Sequence, residues 1–164
     1  MQVKLVVVAT DFSPSADRAV ERAVELAKRR RAGLLVVHVI PPVLNASPLL
    51  GKASAGAFEE ASNGVAARLR QISQEELQAR YLAGTGLDQV QAEGLCLEGK
   101  VAPQILELIA DRGADLLVMG ATGASGLGES LFGSVALKLL RKAPCSVLVV
   151  RAEAGASQAQ PSAQ

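Results

Sequence analysis

Aromatic residues are scarce in this chain of 164 residues, which has no tryptophan, one tyrosine and three phenylalanines. Proteins that bind single-stranded nucleic acid stack bases on aromatic side chains, so this composition argues against that class. Excess positive charge is also missing, because 17 basic residues are balanced by 16 acidic ones. Binding to the backbone of a duplex depends on such an excess. The sequence therefore predicts no nucleic-acid partner.

Histidine and cysteine are too few for a zinc site. His38 is the single histidine, and Cys96 and Cys145 lack the short paired spacing of zinc ligands. We expect both thiols to be reduced. No acid or second histidine can be identified as a partner of His38, which lies inside an apolar stretch, so a hydrogen-bonded structural role is favoured over catalysis. The sequence thus predicts no metal site and no catalytic residue.

Long apolar runs are absent as well. The run from Leu5 to Ala9 stops at Asp11, which is too short and too soon acidic for a signal peptide. No stretch approaches the ~20 apolar residues of a membrane-spanning helix. These observations predict a cytoplasmic protein without a membrane partner.

What the chain does contain is aliphatic. Hydrophobic residues make up 49% of it, so Val, Leu, Ile and Ala must form the core, as in helices packed on a buried sheet. The length suits one domain, which we place at residues 1–151. Residues 152–164, AEAGASQAQPSAQ, offer nothing to bury and are predicted to be a disordered tail.

Apolar patterns along the chain alternate between strand and helix. The predicted strands are Val3 to Ala9, Leu34 to Ile40, Val90 to Leu97, Asp115 to Met119 and Ser146 to Val150. Between them the helical spacing predicts a first helix whose apolar positions run from Ala16 to Ala27. It predicts further helices over Phe58 to Ala83, Ala102 to Arg112 and Ser134 to Lys142. Five strands alternating with four helices predict an α/β fold, an open, parallel, doubly wound sheet with helices on both faces.

The first helix carries clear boundary signals. Ser13 is the expected N-cap, Pro14 the first helical residue, and Gly33 the residue that closes the helix. For the second helix the spacing predicts an inward face made of Phe58, Ala61, Val65, Leu69 and Ile72. The segment from Pro41 to Gly56 stands outside the scheme, as either a mobile flap or a helical turn.

The strongest functional signal is the glycine-rich stretch from Gly120 to Ser134 that follows the fourth strand. In open parallel sheets ligands bind beyond the carboxyl ends of the strands, where this stretch lies. Its glycines let the backbone approach a ligand, and Gly133-Ser134 opens a helix whose first N–H groups suit an anion such as phosphate. A plain flexible connector is the alternative, and the ligand interpretation is favoured.

Two familiar phosphate loops are excluded by residues that the stretch lacks. Gly128-x4-Gly133 imitates the start of a Walker loop, but Ser134-Val135 stands where Lys followed by Ser or Thr is required. The dinucleotide fingerprint fails because Leu131 occupies its third glycine position. The chain is therefore predicted to be neither a P-loop NTPase nor a Rossmann dehydrogenase.

The spacing does match the pattern Gly-x2-Gly-x9-Gly-Ser, formed by Gly120, Gly123, Gly133 and Ser134. Here the chain resembles the universal stress protein family. Four segments carry the resemblance, which covers about residues 3–151: VVVATDFSPSADRAV, LLVVHV, GADLLVMGATG and GSVALKLLRKAPCSVLVVR. The resemblance implies a Rossmann-like sheet with strand order 3-2-1-4-5 and points to the ATP-binding branch of the family.

The resemblance also implies a nucleotide site. The residues expected to border adenosine are Ala9, Thr10, Asp11 and Val39, with Met119 and Gly120 beside the ribose and Thr122, Gly123, Gly133, Ser134 and Val135 around the phosphates. Asp11 also suits a simple turn or capping role, and the two roles are compatible. ATP is the expected ligand, with ADP, AMP and an accompanying Mg²⁺ left open. Relatives often carry basic groups at the positions of Thr122 and Ala124, so modest phosphate affinity is expected.

These observations leave three candidate functions for the chain. The favoured one is an ATP-binding, nucleotide-responsive regulatory or stress-tolerance module, assembled as a homodimer through the fifth strand. The second is a slow ATP hydrolase or phosphotransferase on the same site, which the lack of a strong general base disfavours. The third is a nucleotide-free dimeric interaction protein, which the intact glycine pattern disfavours.

Overall fold

The computed structural model describes residues 2–42, 52–83, 87, 90–122 and 132–151, with side chains of the second range described from residue 63 onward. The strands are β1 (Leu5–Thr10), β2 (Gly33–Ile40), β3 (Ala92–Glu98), β4 (Leu116–Gly120) and β5 (Ser146–Val150). The helices are α1 (Pro14–Arg30), α2 (Lys52–Leu77), α3 (Val101–Asp111) and α4 (Ser134–Lys142), and a π-helical turn (Gln78–Leu82) extends α2. The predicted tail, 152–164, lies outside the described residues.

All five strands pair in parallel, in the order β3-β2-β1-β4-β5. This confirms the predicted Rossmann-like fold. β1 is central, with Thr10 opposite His38 of β2 and Ala9 opposite Met119 of β4. The strand order reverses between β1 and β4, and in such sheets the reversal opens a crevice at the carboxyl edge.

Helices cover both faces of the sheet, and alternate residues of β1 serve the two faces. Val7 packs with Leu35, Leu117 and residues of α3 and α4, including Leu139. The neighbouring Val6 and Val8 pack with α1 and with Leu77 of α2. Both clusters are almost wholly aliphatic, because a sheet covered on both faces needs continuous apolar strands.

The start of α1 confirms the predicted boundary. The Ser13 hydroxyl accepts the Ala16 N–H at 3.3 Å, and Pro14 begins the helix. The predicted end is wrong, because Arg31, at φ +53°, takes the left-handed C-cap position while Gly33 begins β2. The Arg31 and Ala32 N–H groups already bind the last carbonyls of α1, so the chain turns two residues earlier than the glycine suggests.

The predicted inward face of α2 is also wrong where its side chains are described. Val65, Leu69 and Ile72 are 50%, 39% and 46% exposed, whereas Leu77 is fully buried. Leu77 lies about 140° round the helix from Ile72 at 3.6 residues per turn, so the buried end of α2 turns a different face to the sheet. α2 also begins at Lys52 rather than Phe58, so residues 52–56 of the segment left open between a flap and a helical turn are helical. The Phe58 and Ala61 side chains lie outside the described set.

Gly94 allows that buried end to seat on β3. A Cβ at Gly94 would collide with the side chains of Leu77 and Leu82. Leu82 is the last residue of the π-helical turn, in which the Ala83 N–H donates to the Gln78 carbonyl at 2.9 Å. The small residue on β3 therefore leaves room for the Leu77 and Leu82 side chains to pack against the sheet.

At the amino edge of the sheet Asp115 joins β1 to β4. The Lys4 and Leu5 N–H groups donate to its Oδ2 at 2.7 and 3.0 Å, and these bonds lower the pKa of the carboxyl. Elsewhere Cys96 and Cys145 are free thiols, as expected, and burial raises the pKa of each. No helix in the described ranges is long and apolar enough to cross a bilayer.

Candidate functional site

A cavity of about 220 Å³ opens at the carboxyl edge of the sheet, where the strand order reverses. It lies at the ends of β1, β2 and β4 and is bordered by α3 and α4. The lining residues are Ala9, Thr10, Asp11, Ala16, Val37, Val39, Val101, Ile105, Met119, Gly120, Ala121, Thr122, Gly133, Ser134, Val135, Ala136 and Leu139. Every predicted site residue within the described ranges is among them, and Gly123 falls outside those ranges.

One end of the cavity is an apolar slot. Val37 and Val39 face it from alternate positions of β2, and Val101 and Ile105 face it from successive turns of α3. Only Val39 is part of the predicted site. The strand alternation and the i, i+4 spacing on α3 could have identified the other three as lining one surface, but the sequence does not show which helix covers which face.

The other end of the cavity is polar. Asp11, Thr122 and Ser134 contribute polar side chains to it, whereas the hydroxyl of the lining residue Thr10 bonds on the α1 and α2 side of the sheet. Asp11 is the one charged side chain among the described lining residues. The Asp11 Oδ1 accepts the Ser13 N–H at 3.1 Å, which is the turn role anticipated for this carboxyl. The described wall contains no lysine, arginine or histidine.

Helix α4 begins at this polar end. Gly133 is its N-cap, at φ −66° and ψ 159°, and no side chain caps it within the described residues. The Gly133 N–H donates to the Ala121 carbonyl at 3.0 Å, which ties the start of α4 to the end of β4. Ser134 and Val135, the first two residues of α4, line the cavity. The positive end of the α4 dipole therefore lies at the polar end of the cavity, an arrangement that favours anions.

Gly120 has a role that the glycine pattern does not reveal. A Cβ there would lie 2.6 Å from the Ser15 Oγ, 3.0 Å from the Ser15 carbonyl carbon and 3.1 Å from the Ala16 nitrogen. The Ser15 hydroxyl also donates to the Thr122 carbonyl. Glycine at this position lets the first turn of α1 pack directly against the end of β4. Part of the glycine signal therefore belongs to protein packing.

His38 lies beside the site and is hydrogen-bonded, as the sequence predicts. Its Nδ1 is 2.9 Å from the Thr10 carbonyl oxygen. A carbonyl oxygen only accepts, so Nδ1 carries a proton and donates. This bond joins β2 to the last residue of β1, and the imidazole is not part of the cavity wall. His38 thus supports the strand end that borders the site.

Comparison with known proteins gives consistent matches over nearly the whole chain. The model of the universal stress protein family matches residues 2–151. A universal stress protein of Thermus aquaticus is 37% identical over 148 residues, covering 90% of this chain and 98% of the relative. The structure of the universal stress protein UspA from Lactobacillus plantarum superposes with a TM-score of 0.70 at 22% identity, covering 92% and 99% of the two chains.

A further solved neighbour is a universal stress protein in complex with cAMP. It superposes with a TM-score of 0.58 at 27% identity, covering 92% of this chain and 98% of its own. The family match over residues 2–151, together with the strand order and the four sequence segments, shows that this chain belongs to the universal stress protein family.

Proposed function

We propose that this chain binds ATP in the cavity between β1 and β4 and acts as a nucleotide-responsive regulatory or stress-tolerance module. One observation carries the proposal: a single cavity joins an apolar slot to the start of an α-helix at the reversal of strand order. Those two ends suit the two chemically different halves of a nucleotide. The cAMP complex of a neighbour supports an adenine nucleotide as the ligand class.

In this proposal the adenine lies in the apolar slot and the backbone of Val39 recognises it. Asp11 faces the ribose, close to Met119 and Gly120. The phosphates lie at Thr122, Gly133 and Ser134, with Gly123 completing the loop as the sequence pattern implies. Backbone N–H groups and the dipole of α4 supply the positive potential, because the described wall has no basic side chain.

The charge of the wall bears on which nucleotide binds. Of ATP, ADP and AMP, ATP carries the most negative charge. The one charged side chain on the described wall, Asp11, is also negative. Mg²⁺, when bound with ATP, neutralises part of that charge. We therefore expect Mg²⁺ to strengthen the binding of ATP more than that of AMP.

Native mass spectrometry of the purified protein tests the proposed function. It reports both a carried ligand and the number of subunits from one spectrum. We expect added ATP to give one nucleotide per subunit. Spectra with no retained ATP, ADP, AMP or cAMP after each is added would favour the nucleotide-free interaction protein.

We expect the bound ATP to be hydrolysed slowly, far below the ~10 per second of a typical enzyme. The reason is chemical: Asp11 is the only candidate base on the described wall, and its Oδ1 already accepts the Ser13 N–H. Release of ADP over hours, measured on repeatedly purified protein, checks this. Sustained turnover near the typical rate would contradict it, and slow turnover that Asp11→Asn abolishes would favour the hydrolase or phosphotransferase alternative.

We also propose that the chain forms a homodimer through β5. This strand lies at one end of the sheet order, and Val147 to Val150 are only half-buried in the single chain. Leu137 and Leu140 of α4, the helix that leads into β5, are 39% and 40% exposed. An uncovered apolar edge strand is unfavourable, and pairing with a second copy covers it.

Val149→Pro tests the paired edge. The Val150 carbonyl accepts the Ala121 N–H on the β4 side, so by alternation the peptide group of Val149 faces away from β4. Proline there removes an outward N–H and leaves the bonds to β4 in place. We expect light scattering to give twice 16.9 kDa for the native protein and for Val149→Ala, and 16.9 kDa for Val149→Pro. A native monomer at micromolar concentration would contradict the proposal.

A further inference from the structure

A chain of hydrogen bonds on the α1 and α2 side of the sheet ends at Thr10. The Tyr81 hydroxyl donates to the Asp17 Oδ1 at 2.6 Å and lies 3.0 Å from the Thr10 Oγ1. Because the Tyr81 proton is committed to Asp17, Thr10 donates to the phenol oxygen. The Thr10 Oγ1 in turn accepts the Phe12 N–H at 3.0 Å. Tyr81 is thereby linked to the turn that borders the cavity.

That turn contains a backbone conformation that a bulky residue rarely adopts. Phe12 has φ +61°, in the left-handed region that favours glycine. Its ring lies 4.5 Å from the His38 ring and is stacked on the Tyr81 ring at 6.0 Å, with 3° between the planes. The neighbours on either side of Phe12 are Asp11, which lines the cavity, and Ser13, which caps α1. The aromatic contacts help to hold an unfavourable turn at the edge of the site.

Tyr81 is itself firmly placed. It belongs to the π-helical turn, and such turns recur at functional sites. Leu77 and Leu82 seat this turn against Gly94. Arg80, the preceding residue, pairs with the Asp17 Oδ2 at 2.5 Å and so fixes the carboxylate that receives the Tyr81 proton. These contacts hold the phenol oxygen in place opposite Thr10.

We propose that Tyr81 is a positioning residue for nucleotide binding: its hydroxyl holds Thr10, and through Thr10 the Asp11–Ser13 turn, in the geometry that the bound nucleotide requires. The inference rests on the proposed function. The competing interpretation is that Tyr81 only fastens the end of α2 to α1 through Asp17. The two differ in whether the effect of Tyr81 on ATP passes through Thr10.

A double-mutant cycle on ATP affinity separates them. Tyr81→Phe keeps the stacked ring and removes only the hydroxyl, so we expect about three- to tenfold weaker binding by calorimetry, the value of one hydrogen bond. Because Tyr81 acts through Thr10, Tyr81→Phe in a Thr10→Val background should cause no further loss. An affinity of Tyr81→Phe within about twofold of wild type, or penalties that add in the double variant, would overturn the proposal.

Emission from the protein supplies a second readout. Tyr81 is the one tyrosine and the chain has no tryptophan, so emission excited where phenylalanine does not absorb reports this side chain alone. Since coupling is reciprocal, ATP should change the Tyr81 emission of the native protein and should not change it in Thr10→Val at saturating ATP. Emission that ATP leaves unchanged in the native protein would contradict the proposal.

The ATP-binding experiment also needs a matched control variant and the native protein. Arg112→Gln breaks an exposed ion pair with Glu93, 3.3 Å long and outside the cavity wall, and should leave ATP affinity unchanged. Circular dichroism confirms that each variant is folded. Failure of the native protein to bind ATP would reject the proposed function, whereas native binding with an unaffected Tyr81→Phe rejects only the positioning role.

Discussion

Gly133→Val is expected to abolish measurable ATP binding while leaving the fold intact. Gly133 adopts φ −66° and ψ 159°, extended backbone that any residue can adopt, so valine causes no backbone strain there. Gly133 lines the cavity at the start of α4, where the phosphates are proposed to bind, so we expect the added side chain to obstruct them. Calorimetry with ATP and a thermal unfolding curve on the same sample measure the two effects separately.

Ser134→Ala is the matched control for this variant. It removes one neutral hydroxyl from the adjacent position, worth ~0.5–1.5 kcal/mol, so ATP affinity should fall by no more than about tenfold. Wild-type affinity in a folded Gly133→Val protein would mean that the start of α4 is only a connector. The nucleotide-free interaction protein would then become the better interpretation.

Gly120→Ala is expected to lower the free energy of unfolding substantially in the absence of any nucleotide, whereas Gly133→Val is expected to leave the fold intact. The added Cβ meets the backbone of Ser15 and Ala16, which cannot rotate away as a side chain would. α1 must shift off β4, and overpacking of this kind costs about 1–3 kcal/mol. Chemical unfolding of nucleotide-free protein measures the change in the free energy of unfolding.

Gly113→Ala provides a comparison for this effect. Gly113 has φ +61° and open space at its Cβ position, so alanine there is strained by backbone conformation alone. If Gly120→Ala unfolds at the same denaturant concentration as the native protein, the close packing of α1 on β4 does not constrain this position. The role assigned to Gly120 would then be wrong.

Local signals in the sequence predict an element well when the residue type favours only one local structure. Ser13 and Pro14 specify the start of α1, and the bounds of α4 and β5 agree with the predicted ones. Gly33 misleads because its freedom to turn is not used: Arg31 accepts the left-handed conformation, since its N–H then reaches the carbonyls at the end of α1. A propensity states what a residue permits, and neighbouring hydrogen bonds decide what it does.

The second helix shows where periodicity alone fails. The i, i+4, i+7 spacing of Val65, Leu69 and Ile72 correctly indicates a helix, yet these residues are exposed in the single chain. The face that packs on the sheet is chosen at the far end, where Leu77 fits the space above Gly94. That fit joins residues distant in sequence, so it is invisible to a helical pattern.

The residues expected at the site come chiefly from the resemblance and the glycine spacing, and those that the structure describes line one cavity. The apolar slot was mostly missed, because Val101 and Ile105 carry no functional signature and become a wall only when α3 lies beside β2. The hydrogen bonds from Tyr81 to Thr10 were missed for the same reason: they connect residues 71 positions apart. Tertiary placement, rather than residue type, creates both features.

Chemical-shift mapping of backbone amides reports both whether ATP binds to this protein and where it binds. We expect ATP to shift the amide resonances of Gly120, Thr122, Gly133 and Ser134 at the carboxyl edge of the sheet. The amides of Lys4 and Leu5, bound to Asp115 at the amino edge, should stay in place. Shifts confined to the amino edge, or no shifts at saturating ATP, would contradict the assignment of this cavity as a nucleotide site.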